Sequence, residues 1–160
     1  MRIALAILFS FLFALPMAVA AHPEAESPDA DAVRKVLADY KAALEGLDMG
    51  GVDKLFAEDN VVIENGKLEG SYADYLANHI GPELGHFTSF SFSDYKPVVR
   101  VHGDVAWATE TYLYRIVLKE DGKVIERQGV SSSVLRKTDA GWRIVSMHGS
   151  SRAPKPKTTP

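Results

Sequence analysis

Val33, Val36, Leu37, Tyr40, Leu44 and Leu47 recur at the spacing of one apolar helix face. Ser27 can cap that helix, Pro28 suits its first position, and Asp29 and Asp31 favour the positive end of its dipole. The pattern predicts a first helix ending near Gly46 to Asp48. A shorter second helix follows, with Asp48 as cap and Val52, Leu55 and Phe56 as its buried side; Gly50 and Gly51 count against it. Val61 to Glu64 reads as a short strand, Asn65-Gly66 as a hairpin turn and Lys67 to Glu69 as the return strand. Ser71 caps a third helix from Tyr72 to about Ile80, which Gly81-Pro82 interrupts.

After Phe87 the pattern becomes β throughout. Thr88 to Val101 is one long strand with an irregularity expected at Pro97. Val105 to Leu118, Lys123 to Arg136 and Trp142 to Ser150 are the next three, separated by His102-Gly103-Asp104, Asp121-Gly122 and Asp139-Ala140-Gly141. Helices first and a run of long strands after them is the α+β pattern. The expected architecture is a cone-shaped, curved antiparallel sheet wrapped over three N-terminal helices, with a pocket at its open end.

The two ends of the chain read differently from its body. Met1-Arg2, the apolar run Ile3 to Leu15 and Ala18-Val19-Ala20 have the order of a secretory signal peptide. The run of about 13 residues is too short to span roughly 30 Å of hydrocarbon. Residues 1–20 are therefore expected to be removed, 21–27 to form a linker, 28–152 one domain and 153–160 a disordered tail rich in proline. Arg2 is the one charged side chain in the leader, so its loss takes the formal charge from −3 to −4. No basic stripe appears, which argues against nucleic acid as a partner. The chain has no cysteine, so disulfides and thiolate chemistry are excluded. No second long apolar segment follows the leader, so no stable membrane span is expected after processing.

Several stretches resemble the nuclear transport factor 2-like superfamily, in its ketosteroid isomerase-like and polyketide cyclase-like branch. Leu55-Phe56-Ala57-Glu58-Asp59-Asn60-Val61-Val62 is similar to that group's passage from second helix to first strand. Val101-His102-Gly103-Asp104-Val105-Ala106 is similar to its turn into a central strand, and Gly141 to Ser150 to its last strand, where a Trp-x-Ile-x-x-x-His-x-Ser pattern recurs. The resemblance runs from roughly Ala30 to Arg152 and implies the cone fold and a homodimer. The fold hosts enzymes, binding modules and oligomerisation domains, so it leaves function open.

Glu64 ends the first strand, where the isomerase-like members place their proton-shuttling carboxylate. A carboxylate at the mouth of an apolar pocket can move a proton beside a carbonyl; the plainer alternative is a solvated residue next to the Asn65-Gly66 turn. His148 is the second candidate, because strict alternation puts Trp142, Ile144, Ser146, His148 and Ser150 on one face. Glu110, with Tyr112 or Tyr114 nearby, is the candidate acid for an oxyanion-stabilising pair. His79, Glu83 and His86 fall at i, i+4 and i+7, an alternative set for Zn²⁺ or Fe²⁺ if a helical turn restarts at Pro82. Arg115 and Arg127 are candidate cations for an anionic ligand.

Tyr72, His79, Trp107, Glu110 and Ser150 complete the expected cavity lining, although Trp107 and Glu110 cannot share a face of a regular strand. The leading expectation is an exported protein that binds a small apolar or mixed organic ligand, with no cofactor. An acid–base enzyme using Glu64 and His148 is the alternative, and metal binding through His79, Glu83 and His86 a further one.

Overall fold

The computed structural model describes residues 27–154. The expected signal peptide, all of the expected linker but Ser27, and the tail from 155 onward lie outside the described residues. Helix α1 (Pro28–Glu45) begins with Ser27 Oγ accepting the Ala30 N–H at 3.1 Å. Val33, Val36, Leu37 and Leu44 are buried, and Tyr40 and Leu47 pack against them. The first turn is tied to the sheet through Asp29. Its Oδ1 accepts from Trp142 Nε1 at 3.0 Å and lies 2.8 Å from Lys137 Nζ.

The expected second helix shrinks to one 3-10 turn (Val52–Leu55). Gly51, at φ 78°, must swing the chain round first, and Phe56 already opens strand β1 (Phe56–Glu64). Asn65 and Gly66, both at positive φ, turn the chain into β2 (Lys67–Gly70). A capping box between Ser71 and Asp74 then starts α2 (Tyr72–Tyr75). Contrary to expectation, Gly81-Pro82 does not stop the helical path. A π turn (Leu76–Ile80) carries it into α3 (Gly81–Leu84). Gly81 is needed there, since a Cβ would lie 2.3 Å from the Leu76 carbonyl oxygen.

The remaining chain is an antiparallel meander: β3 (Phe87–His102), β4 (Val105–Leu118), β5 (Val124–Thr138) and β6 (Gly141–Arg152). The sheet order is β2-β1-β6-β5-β4-β3. β1 runs parallel to β6, so the curved sheet is mixed where a wholly antiparallel one was expected. The α+β class and the helix-filled cone stand. Val33, Ala106, Leu135 and Ile144 form the driest part of the core, between α1 and the inner sheet face.

Two irregularities decide which side chains face inward. In β3 the register slips between Ser93 and Lys96, where Asp94 takes φ 52°. Phe90 and Phe92 face inward before the slip and Val99 after it, so Tyr95 also joins the inner face. This is earlier than the expected break at Pro97. In β6 the pairing passes from Val134↔Ser146 to Leu135↔Ile144, leaving Val145 as an extra residue. Beyond it the alternation inverts.

Candidate functional site

Along β4 the inner face changes from small to large. Ala106 and Ala108 leave room for α1 to pack close; Glu110, Tyr112 and Tyr114 follow where the helix no longer fills the cone. The result is a cavity of about 130 Å³, walled by aromatic rings from α1, α2, β3 and β4 together with aliphatic side chains. Two polar groupings reach into it from opposite sides.

The first centres on Glu64 at the end of β1. The Tyr75 hydroxyl donates to Glu64 Oε2 at 2.6 Å. His79, one turn beyond Tyr75, has Nε2 3.9 Å from Glu64 Oε2 and 3.4 Å from Glu83 Oε1. Its Nδ1 donates to Glu69 Oε1 at 2.9 Å, because an ionised carboxylate can only accept. Burial alone would lower the His79 pKa, but the Glu69 bond and the charges of Glu64 and Glu83 together raise it. Burial raises that of Glu83, against the opposing pull of His79. The Tyr75 phenol is pushed far up by burial, then by Tyr40 and Glu64.

The second centres on Glu110, which is 8% exposed. Tyr95 donates to its Oε1 at 2.5 Å and Ser131 to its Oε2 at 2.8 Å. Burial raises the Glu110 pKa, and the two hydroxyl bonds only partly offset this. Tyr112 is pushed up to about 12 by burial and by the Glu110 charge. Its neighbours leave the ring little freedom: it meets Phe92 edge to face at 5.1 Å.

Of the residues singled out from the sequence, Glu64, Glu83, Glu110, Tyr112, Tyr114 and Ser150 line the cavity, and His79 holds its rim through Glu64 and Glu83. Tyr72 does not line it. It is buried in the adjacent core, stacked on Phe56 at 4.2 Å. Trp107 is 45% exposed on the outer sheet face, which settles its conflict with Glu110. His148 is also exposed: the extra residue at Val145 turns it outward and gives Met147, Gly149 and Ser151 the inner positions. The set of His79, Glu83 and His86 is not assembled, because α3 ends at Leu84 and His86 points to solvent beyond it. Among the described residues no three His, Cys, Asp or Glu side chains are placed to hold a metal ion. Arg115 and Arg127 are exposed and outside the lining. Sequence reasoning passed over Tyr75 and Ser131, placed Tyr40 only on the apolar face of the first helix, and named Tyr95 only among the aromatic residues of the sheet. The spacing of Tyr75 and His79 was a usable signal; the turn of Tyr95 at Asp94 left none.

Among the described residues no helix is long and apolar enough to cross a membrane. No curated protein matches the chain by sequence. The fold is shared with a nuclear transport factor 2-like superfamily protein of Salmonella enterica serovar Typhimurium, at TM-score 0.72 and 23% identity over 85% of this chain and 99% of that one. A ketosteroid isomerase-like protein of Erwinia carotovora atroseptica superposes at TM-score 0.67 and 18% identity, over 80% and 99% of the two chains. A protein of Novosphingobium aromaticivorans, described as nuclear transport factor 2-like with a cystatin-like fold, gives 0.62 and 20% over 76% and 80%. The fold of this chain is that of the nuclear transport factor 2-like structures, and the SnoaL-like domain family matches residues 33–154, so the chain belongs to that family.

Proposed function

We propose that the protein is exported and binds a small organic molecule with an apolar or ring-bearing body in this cavity. One observation carries the reading: aromatic and aliphatic side chains wall a cavity into which a few fixed polar groups converge. The leader-like segment at 1–20 supports export. Intact-mass analysis of secreted material should find a chain starting at Ala21 or His22; a full-length mass in membranes would refute export. Native mass spectrometry of protein from its own host should find a retained organic compound, displaced in a variant with Tyr112→Trp filling the cavity. A cavity that neither retains nor binds any ring-bearing compound would refute the binding role.

A homodimer through the outer sheet face belongs to the same reading. Val98, Trp107, Val130 and Val134 are between 39% and 54% exposed there, on three adjacent strands. Light scattering should give a dimer at micromolar concentration and a monomer for Trp107→Lys. A monomeric parent protein would remove the proposal.

A second reading, an acid–base enzyme, is favoured by the contact of Tyr75 and His79 with Glu64. Its proton carriers are then Glu64 and His79, since His148 faces outward. Glu64→Gln should abolish turnover of a bound carbonyl compound and leave its affinity within a few fold.

A further inference from the structure

We infer that the ligand is an organic cation: a positively charged nitrogen on an apolar or ring-bearing body. The inference rests on the binding role proposed above and narrows it to a chemical class.

The charge of the walls points this way. Three carboxylates line the cavity, those of Glu64, Glu83 and Glu110. Among the described residues Lys41 is the single ammonium in the lining, and its Nζ is already 2.7 Å from Glu45 Oε2. At the rim His79 supplies at most one positive charge, shared between Glu64 and Glu83, while Glu69 behind it is also paired with Lys67. Counted with these partners, the cavity keeps an excess of negative charge.

Glu110 makes the case sharper. It is the deepest of the three, and its two partners are hydroxyls. It forms no ion pair among the described residues. A buried ionised carboxylate without a counter-charge is costly and is driven to keep its proton; a bound cation offsets that cost and favours the ionised form. A neutral ligand gives no such offset, and an anion adds to the cost.

The aromatic wall is suited to the same guest. Lys41 Nζ sits 5.5 Å from the Phe92 ring centroid and 5.6 Å from that of Tyr95, within cation–π range. The wall thus already holds a cation of its own chain. Tyr95 is also the residue whose hydroxyl binds Glu110, so a π face and a carboxylate meet in one corner.

The test compares three probes of one shape or size by calorimetry: benzyltrimethylammonium, its uncharged carbon isostere neopentylbenzene, and phenylacetate. The cation should bind at least tenfold more tightly than the isostere, and phenylacetate more weakly than both. Glu110→Gln should lower the affinity for the cation far more than that for the isostere and so remove most of that preference. Glu83→Gln, at the solvent-facing rim, should lower the preference severalfold and serves if the deeper variant fails to fold. Equal binding of cation and isostere, or tighter binding of phenylacetate, would overturn the cation and leave the binding role intact. A preference that survives both variants would overturn the assignment to these carboxylates. If none of the three binds, the binding role falls with it.

Discussion

Tyr112 on β4 stands directly opposite Gly129 on β5, and its ring occupies the space a side chain at 129 would need. A Cβ built on Gly129 would lie 2.1 Å from Tyr112 Cε2 and 2.7 Å from Cζ. The missing side chain on one strand therefore places an aromatic wall of the cavity on the next. It also brings the Tyr112 hydroxyl toward Ser131, which holds Glu110.

Gly129→Ala should consequently displace the Tyr112 ring rather than strain its own backbone. Overpacking of this kind costs about 1–3 kcal/mol, read as a lower melting temperature. Adding Tyr112→Ala to Gly129→Ala should recover part of that loss, because the clash disappears with the ring. Strict additivity of the two changes in a double-mutant cycle would show that the contact is not where the cost arises.

Tyr72 gives a prediction of opposite sign. Its hydroxyl is buried with no hydrogen-bond partner among the described residues, and burial together with the Asp53 charge raises its pKa to about 12. An unmet buried hydroxyl costs about 1–3 kcal/mol. Tyr72→Phe keeps the stack on Phe56 and removes the hydroxyl, so it should be neutral or raise the melting temperature by up to several degrees. A clear fall in stability would mean that the hydroxyl is bonded after all.

The first helix face, the hairpin turns and the strands of the meander were legible, because each rests on local periodicity; the second helix and the break at Gly81-Pro82 were not as expected. Which residues share the cavity was not legible. Inner and outer faces follow from counting by two along a strand, and one extra residue reverses the count. Val145 does this to His148, and the slip at Asp94 does it to Tyr95 in the other direction. Neither irregularity carries glycine, so composition gave no warning. The parallel pairing of β1 with β6 joins residues far apart in the chain, and no local pattern encodes it. Glu64 was recognisable as an end-of-strand carboxylate, but its Tyr75 partner depends on where the Tyr72–Leu84 helical run lies over the sheet.

Glu110 should make stability depend on pH in a defined direction. Burial raises its folded-state pKa above the ordinary carboxylate value, so over that interval the folded chain holds a proton the unfolded chain has released. The Glu110 contribution to stability therefore falls as pH rises from the unfolded pKa through the folded one. Glu110→Gln cannot lose that proton. The melting-temperature difference, variant minus parent, should be small near about pH 4 and grow by a few degrees toward about pH 8. A difference that is constant with pH would show that Glu110 titrates normally.

His79 should lose stability in the same direction, as pH rises, but from an attraction rather than from burial. Burial alone would depress its pKa, but Glu69 on β2, Glu64 on β1 and Glu83 on α3 together raise it, with the Tyr75 ring tilted against the imidazole at 5.1 Å. A raised folded-state pKa gives stability that is full below the unfolded value, about 6.5, and lost as pH climbs through the folded one. The stabilising advantage of the parent over His79→Gln should therefore be largest below about pH 6 and fade in the alkaline range. NMR titration should place the His79 midpoint above 6.5, and Glu69→Gln should bring it down by removing the Nδ1 partner. The same proton competes with a bound organic cation for Glu64 and Glu83. Affinity for benzyltrimethylammonium should thus rise severalfold as His79 deprotonates, and His79→Gln should flatten that rise. A His79 midpoint at or below 6.5 would show that burial outweighs the three carboxylates, and the link between this histidine and the charge of the cavity would be lost.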